Sequence, residues 1–117
     1  MEKIQIAIAD IPYRQALAQS LSQSVPCEVV CVDNPDMLSS GVLVLDSDHL
    51  ERLLQPIQRP ERVVLVSHDN PETLARAWDA GVNSVVYDRD PINTAVLAIL
   101  AARLRSSKVV PRRGEAK

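Results

Sequence analysis

Four side chains that can do chemistry follow short apolar runs, at the points where buried strands would end. Three are carboxylates and one is a hydroxyl: Asp10, Asp46, Asp88 and Ser67. The stretch VLVLDSDH shows the pattern most clearly, because four branched apolar residues lead directly into Asp46. A carboxylate in such a position can attack a phosphoryl group, ligate a divalent cation or cap the helix that follows. The local sequence leaves these roles open for Asp46.

Two histidines lie close to these acids in the chain. His49 and His68 are expected in exposed loops, although histidine titrates near neutral pH and could sense pH or bind a metal ion. A nucleophile made of Ser67, His68 and Asp69 is excluded, because neighbours on an extended segment point apart. The chain also has no glycine-rich loop to hold an oxyanion.

The pattern of apolar residues predicts the scaffold that positions these groups. Five short apolar runs predict β-strands, at residues 4–9, 28–32, 42–45, 62–67 and 83–87. Helical spacing and helix-start signals predict a helix after each strand, at residues 13–24, 34–40, 47–57, 70–81 and 90–104. Ser47 or Asp48 is expected to cap the third helix. Trp78 is expected in the buried stripe of the fourth, and Leu104 in that of the fifth.

Five strand–helix repeats predict an α/β fold, a five-stranded parallel sheet with helices on both faces. In such a sheet the functional crevice lies beyond the carboxyl ends of the strands. The three acids and the serine are therefore expected to meet at one edge of the sheet.

Composition sets the broad class of the protein. The chain has 117 residues, 46% hydrophobic and only 3% aromatic with no Phe, which fits one domain whose core is aliphatic. The net charge of −2 argues against direct nucleic-acid binding by this domain. Cys27 and Cys31 are too far apart on a strand for a disulfide and lack zinc-type spacing. No signal peptide or bilayer-length apolar run is present, so a cytoplasmic protein without membrane contact is expected.

Three segments together resemble the receiver domain of bacterial two-component response regulators. They are IAIAD at the first strand, VLVLD at the third, and VVLVSHDNPETLARAWDAGVNSVVYDRDP over the fourth and fifth. The resemblance covers residues 3 to about 105 and implies a flavodoxin-like, doubly wound (βα)5 fold. Residues 1–105 are thus expected to form the receiver-like domain, and residues 106–117 a basic linker or tail.

The resemblance also implies roles for the strand-end residues. Asp46 matches the phosphoacceptor position and Ser67 the hydroxyl position, while Asp10 is the remaining member of an acidic pair that receivers use to bind Mg²⁺. Asp10 is preceded by Ala9 and followed by Ile11, so the pair is broken whichever way it is aligned, and Ile11 is taken to replace the second acid. Asp88 stands at the position of a lysine, so it adds negative charge where a cation should offset the phosphoryl group.

These departures predict a degenerate, non-enzymatic pseudo-receiver with little or no phosphorylation. No cofactor is expected, and Mg²⁺ would bind only if the altered site retains it, through Asp10 and Asp46. The alternative is a phosphorylatable receiver that uses Asp46 with an altered magnesium site. A small α/β enzyme is a third hypothesis, but no nucleophile or phosphate loop supports it.

The resemblance further implies protein partners. Receivers often dimerise or dock through the fourth helix, fifth strand and fifth helix, so a protein partner or a second copy is expected there. Mixed charges on this face could specify a symmetric pairing. They are Arg76, Asp79, Asp88, Arg89 and Asp90. In family members the tail often leads to a DNA-binding output domain, which would lie outside these 117 residues.

Overall fold

Strands and helices alternate along the chain, as the apolar pattern predicts. The computed structural model describes residues 3–25, 28–35, 41–52, 59–68, 70–82 and 84–107. The strands are β1 (Lys3–Ala7), β2 (Glu28–Cys31), β3 (Leu43–Asp46), β4 (Val63–Ser67) and β5 (Ser84–Tyr87). The helices are α1 (Ile11–Ser24), α2 (Ser47–Arg52), α3 (Pro71–Asp79) and α4 (Ile92–Ser107), and a 3₁₀ turn spans Pro60–Arg62.

Some predicted segments lie outside the described residues. They are most of the second predicted helix, the later part of the third, Asn83, Cys27 and the basic tail from residue 108. Several predicted boundaries differ from the structure by one to three residues. The first strand ends at Ala7 rather than at residue 9, and the fourth begins at Val63 because Arg62 belongs to the 3₁₀ turn.

The five strands form one parallel sheet in the order β2-β1-β3-β4-β5. Alternate residues of the strands face opposite sides, so the sheet carries two apolar layers. One layer packs on α1 and α4 and includes Ile6, Val44, Leu17 and Ile99. The other packs on α2 and α3 and includes Leu45, Leu65, Leu50 and Ala77. The predicted parallel sheet with helices on both faces is confirmed.

Local signals in the sequence begin and end the helices. Asp10 caps α1 by accepting a hydrogen bond from the Tyr13 amide, and Asn70 caps α3 by accepting one from Glu72. Gly81 ends α3 at φ +89°, where the amide of Val82 bonds back to the Ala77 carbonyl. No described helix has both the length and the apolar character needed to cross a membrane.

Two predictions about buried stripes are wrong. The sheet-facing line of α3 passes through Thr73 and Ala77, so Trp78, about 100° further round the helix, is 54% exposed. Leu104 is 55% exposed for a related reason. The buried line of α4 runs through Val96, Ile99 and Ala102, and Leu104 lies outside it.

Candidate functional site at the carboxyl edge of the sheet

The strand order places the site between strands that are distant in sequence. β1 lies between β2 and β3, so successive strands are added to opposite sides of β1, and a crevice lies at the carboxyl ends of β1 and β3. A cleft of about 200 Å³ opens there. All four residues expected at the strand ends line it. The lining residues are Ile8, Ala9, Asp10, Tyr13, Asp46, Ser47, Asp48, Val66, Ser67, His68 and Asp88.

Asp46 lies at the back of the cleft, and both of its carboxylate oxygens accept hydrogen bonds. Oδ2 accepts the backbone N–H of Ala9 at 2.8 Å, which links β3 to the segment after β1. Oδ1 accepts the backbone N–H of His49 at 2.9 Å, so Asp46 itself caps α2 in place of the predicted Ser47 or Asp48. The ring Nδ1 of His49 lies 2.6 Å from the same oxygen. Asp46 therefore holds two segments together.

The hydrogen bonds around Asp46 determine its charge. Burial raises the pKa of this carboxyl, but the N–H groups of Ala9 and His49, followed by the His49 ring, outweigh that effect. The net result is a pKa below the usual value for aspartate. Asp46 is thus ionised at neutral pH and can only accept hydrogen bonds. Nδ1 of His49 must then carry a proton, and this N–H donates a hydrogen bond to Oδ1.

His49 is not the exposed loop residue that the sequence predicted. It lies in the first turn of α2, and its side chain is 7% exposed. The spacing of three residues between Asp46 and His49 could have predicted this contact. A residue three positions after a helix cap lies on the same side of the helix as the cap, within reach of its side chain.

Ser67 and Ser47 form a hydroxyl pair beside Asp46. Ser67 is buried, and its hydroxyl donates to the backbone carbonyl of His68 at 2.7 Å. The two hydroxyl oxygens lie 3.2 Å apart. Because a serine hydroxyl has one proton, Ser47 must be the donor in that second contact. The single donor of Ser67 is therefore committed within the protein.

Asp88 reaches the cleft from the end of β5, as the predicted register requires. Its backbone N–H donates to the Ser67 carbonyl at 3.0 Å. Its carboxylate Oδ2 lies 2.5 Å from Nδ1 of His68, which is exposed, as expected. Arg89 does not line the cleft. Its guanidinium lies over the Tyr87 ring, 5.2 Å from the centroid.

Ala9 and Asp10, which follow β1, both line the cleft. Asp10 lines it, but one of its oxygens caps α1. Ile11, which the sequence placed at the missing acid, is 51% exposed and is not part of the lining. Ala9 lines the cleft and bonds to Asp46. The geometry thus puts Ala9, rather than Ile11, at the position next to Asp46 where a second acid would act.

Tyr13 forms a wall of the cleft that the sequence did not single out. Its phenolic oxygen is buried and has no hydrogen-bond partner among the described residues. Burial raises the pKa of Tyr13, and the negative charges of Asp88 and Asp90 raise it further. The hydroxyl therefore keeps its proton and is an unused donor at the cleft.

The charges that line the cleft have one sign. Its described lining includes four carboxylates, from Asp10, Asp46, Asp48 and Asp88, and neither lysine nor arginine. In the described part of the chain, no three His, Cys, Asp or Glu side chains come together as a group that could hold a metal ion. The residues present do not fit the magnesium site that receivers use.

Comparisons with known proteins give structural matches only. No family model matches the chain, and neither does any curated protein. A response regulator receiver domain from Rhodospirillum rubrum matches over 93% of this chain and 96% of its own, with a TM-score of 0.62 and 18% identity. The response regulator StyR matches over 92% of this chain, with a TM-score of 0.64 and 20% identity. This chain spans 61% of StyR.

A third structure agrees with these two. The bacteriophytochrome response regulator AtBRR matches over 87% of this chain and 92% of its own, with a TM-score of 0.53 and 17% identity. At such low identity the likeness concerns the fold, which the strand order and the two helical layers support independently. The described chain therefore has the fold of the response regulator receiver domain.

Proposed function

We propose that this domain is a pseudo-receiver, a signalling domain that works through protein contacts with little or no phosphorylation of Asp46. The observation that carries the proposal is the number of hydrogen bonds that this carboxylate accepts within the protein. Its two oxygens accept three N–H groups, from Ala9 and His49, so Asp46 serves as a helix cap and a link between strands. A carboxylate used in this way is a weaker nucleophile, because the hydrogen bonds stabilise the lone pairs that would attack phosphorus.

The other side chains of the cleft support the same proposal. A phosphoryl group brings negative charge next to Asp46, and Asp88 adds more where a cation would be needed. Two unit charges about 4 Å apart repel by about 4 kcal/mol at an effective dielectric constant of 20. The hydroxyl of Ser67, which could hold a phosphoryl oxygen, already donates to the His68 carbonyl. The described lining thus has no lysine or arginine to offset the charge of an aspartyl phosphate.

The proposed contact surface is the face formed by α3, β5 and α4. Trp78 on α3 and Leu97 and Leu104 on α4 are the exposed large apolar side chains of these helices. The charges expected to pair between two copies are partly used within one chain: Arg76 contacts Glu51 of α2, and Asp88 contacts His68. Apolar contacts are therefore a better basis for binding than the charge pattern. Trp78 is the strongest anchor, since aromatic side chains dominate binding energy at interfaces.

Mass spectrometry after incubation with acetyl phosphate and Mg²⁺ tests the absence of phosphorylation. The expected result is no mass increase in the wild-type protein, and the Asp46→Asn variant is the control for modification elsewhere. A stoichiometric increase of one phosphoryl group that Asp46→Asn abolishes would overturn the proposal and favour the phosphorylatable receiver.

Sedimentation velocity over a range of protein concentrations tests the contact surface. If two copies pair through this face, Trp78→Ala should weaken the association at least tenfold. The exposed Glu72→Ala change in the first turn of the same helix serves as the matched control. Association that is equal in the wild type and in Trp78→Ala would exclude Trp78 as the anchor.

A further inference from the structure

The Asp46 carboxylate carries one bond more than its structural role requires. An ionised carboxylate has about four lone-pair sites, two on each oxygen. The amide of His49 makes the helix cap, and the amide of Ala9 makes the link to the end of β1. The third bond comes from the His49 ring and fills the second site on Oδ1. Only one acceptor site, on Oδ2, then remains.

The His49 ring is held in this position by burial. Its side chain is 7% exposed, and it lies in the first turn of α2. The contact of 2.6 Å joins a ring N–H to an ionised carboxylate, and such charge-assisted hydrogen bonds are among the stronger ones in proteins. Burial and this hydrogen bond together favour the observed ring position.

We propose that His49 is an intramolecular lock on Asp46, an autoinhibitory contact that denies the carboxylate oxygen Oδ1 to a phosphoryl group. The lock is separate from the unfavourable charges of the cleft, and it would keep Oδ1 blocked even if those charges were corrected. This inference rests on the proposed function, since it names the residue by which the chain itself keeps Asp46 unmodified.

The blocked step can be stated explicitly. For Asp46 to accept a phosphoryl group from acetyl phosphate at Oδ1, this oxygen must form a bond to phosphorus while the bond from phosphorus to the acetate oxygen breaks and acetate leaves. The electron pair for the new bond comes from a lone pair of Oδ1. Both lone-pair sites of Oδ1 are engaged by N–H groups of His49, so the ring must withdraw first.

The test separates the effect of the His49 contact from that of the unfavourable cleft charges by first replacing residues of the cleft. The background is a double variant, Ala9→Asp with Asp88→Lys, which adds an acid next to Asp46 and a cation opposite it. The His49→Leu change is then added, because leucine fills similar volume without a ring donor. The probe is beryllofluoride with Mg²⁺, a mimic that binds a carboxylate oxygen as a phosphoryl group does, followed by ¹⁹F NMR titration.

The expected result is that His49→Leu tightens beryllofluoride binding in the double variant at least about tenfold, as loss of a competing charge-assisted hydrogen bond implies. The His49→Gln change, which retains a donor, should restore part of the block. The Arg52→Ala change on the exposed side of α2 is the matched control and should have no effect. The amide resonances of Ala9 and His49 should shift on binding, since both groups bond to Asp46.

The outcomes distinguish the two proposals. Equal binding with and without His49→Leu, or binding in neither variant although both are folded by circular dichroism, would overturn the lock and leave the pseudo-receiver proposal standing. If the wild-type protein itself is stoichiometrically phosphorylated on Asp46, the pseudo-receiver proposal fails. The lock survives that result only if His49→Leu increases the modification further.

Discussion

The structural role of Asp46 predicts that its removal destabilises the fold. In a site built for phosphorylation, the acceptor carboxylate lies exposed to an incoming group, and replacing it should cost little stability. Here Asp46 is mostly buried and accepts three N–H groups. The Asp46→Ala change leaves all three without their acceptor.

The magnitude follows from the groups that lose their partners. Loss of a helix cap costs about 1 kcal/mol, within a range of about 0.5–2 kcal/mol. A buried donor left without a partner costs about 1–3 kcal/mol, and the ring of His49 is such a donor. The amide of Ala9 is more exposed and can bond to water, so it adds less. Together these terms predict that Asp46→Ala lowers the free energy of unfolding by about 2–4 kcal/mol.

Urea unfolding followed by circular dichroism measures this difference. With an m-value of about 1–2 kcal/mol/M, the midpoint should fall by about 1–4 M. Asp48→Ala is the matched control, because Asp48 carries the same charge two residues further on and affects α2 mainly through the helix dipole. That effect is worth about 0.3–1 kcal/mol.

A comparison of the two variants decides whether the reasoning is right. If Asp46→Ala unfolds at the same urea concentration as Asp48→Ala, or at a higher one, Asp46 is not a structural carboxylate. The argument for both the pseudo-receiver and the lock would then lose its main support.

Three further predictions concern stability. The folded-state pKa of Asp46 lies below the unfolded value of about 3.9, so its contribution to stability is complete above that pH and is lost as the pH falls through the folded pKa. The stability difference between the wild type and Asp46→Asn should therefore narrow from pH 7 to pH 3. A constant difference would contradict this. The Tyr13 hydroxyl is buried and has no partner among the described residues, so Tyr13→Phe should leave the urea midpoint unchanged or raise it, by at most about 1 kcal/mol in stability. A clear loss of stability would contradict this. Gly41→Ala should cost roughly 3 kcal/mol or more in stability, because Gly41 has φ +102° and a Cβ there would lie 2.0 Å from the Lys3 carbonyl oxygen. Gly81→Ala should cost less, since a Cβ there would meet only a proline side chain. Equal urea midpoints for the two variants would refute this.

Local signals made most of the fold predictable from sequence. Branched apolar runs such as the one before Asp46 form buried strands, because such side chains suit a sheet that is covered on both faces. Caps such as Asn70 and the terminator Gly81 set the ends of α3 through hydrogen bonds within a few residues. Parallel strands end at the same edge, so the convergence of Asp10, Asp46 and Ser67 also followed from the strand–helix order.

The sequence by itself therefore determined the architecture and the residues that meet at the cleft. The tertiary structure alone decided what Asp46 does there, because the amide of Ala9 reaches it from 37 residues away and no local pattern encodes that distance. Packing of α2 on the sheet decided that His49 is buried against Asp46, and packing of α3 left Trp78 exposed. The availability of a lone pair depends on how separate elements fit together, and only the folded chain settles that fit.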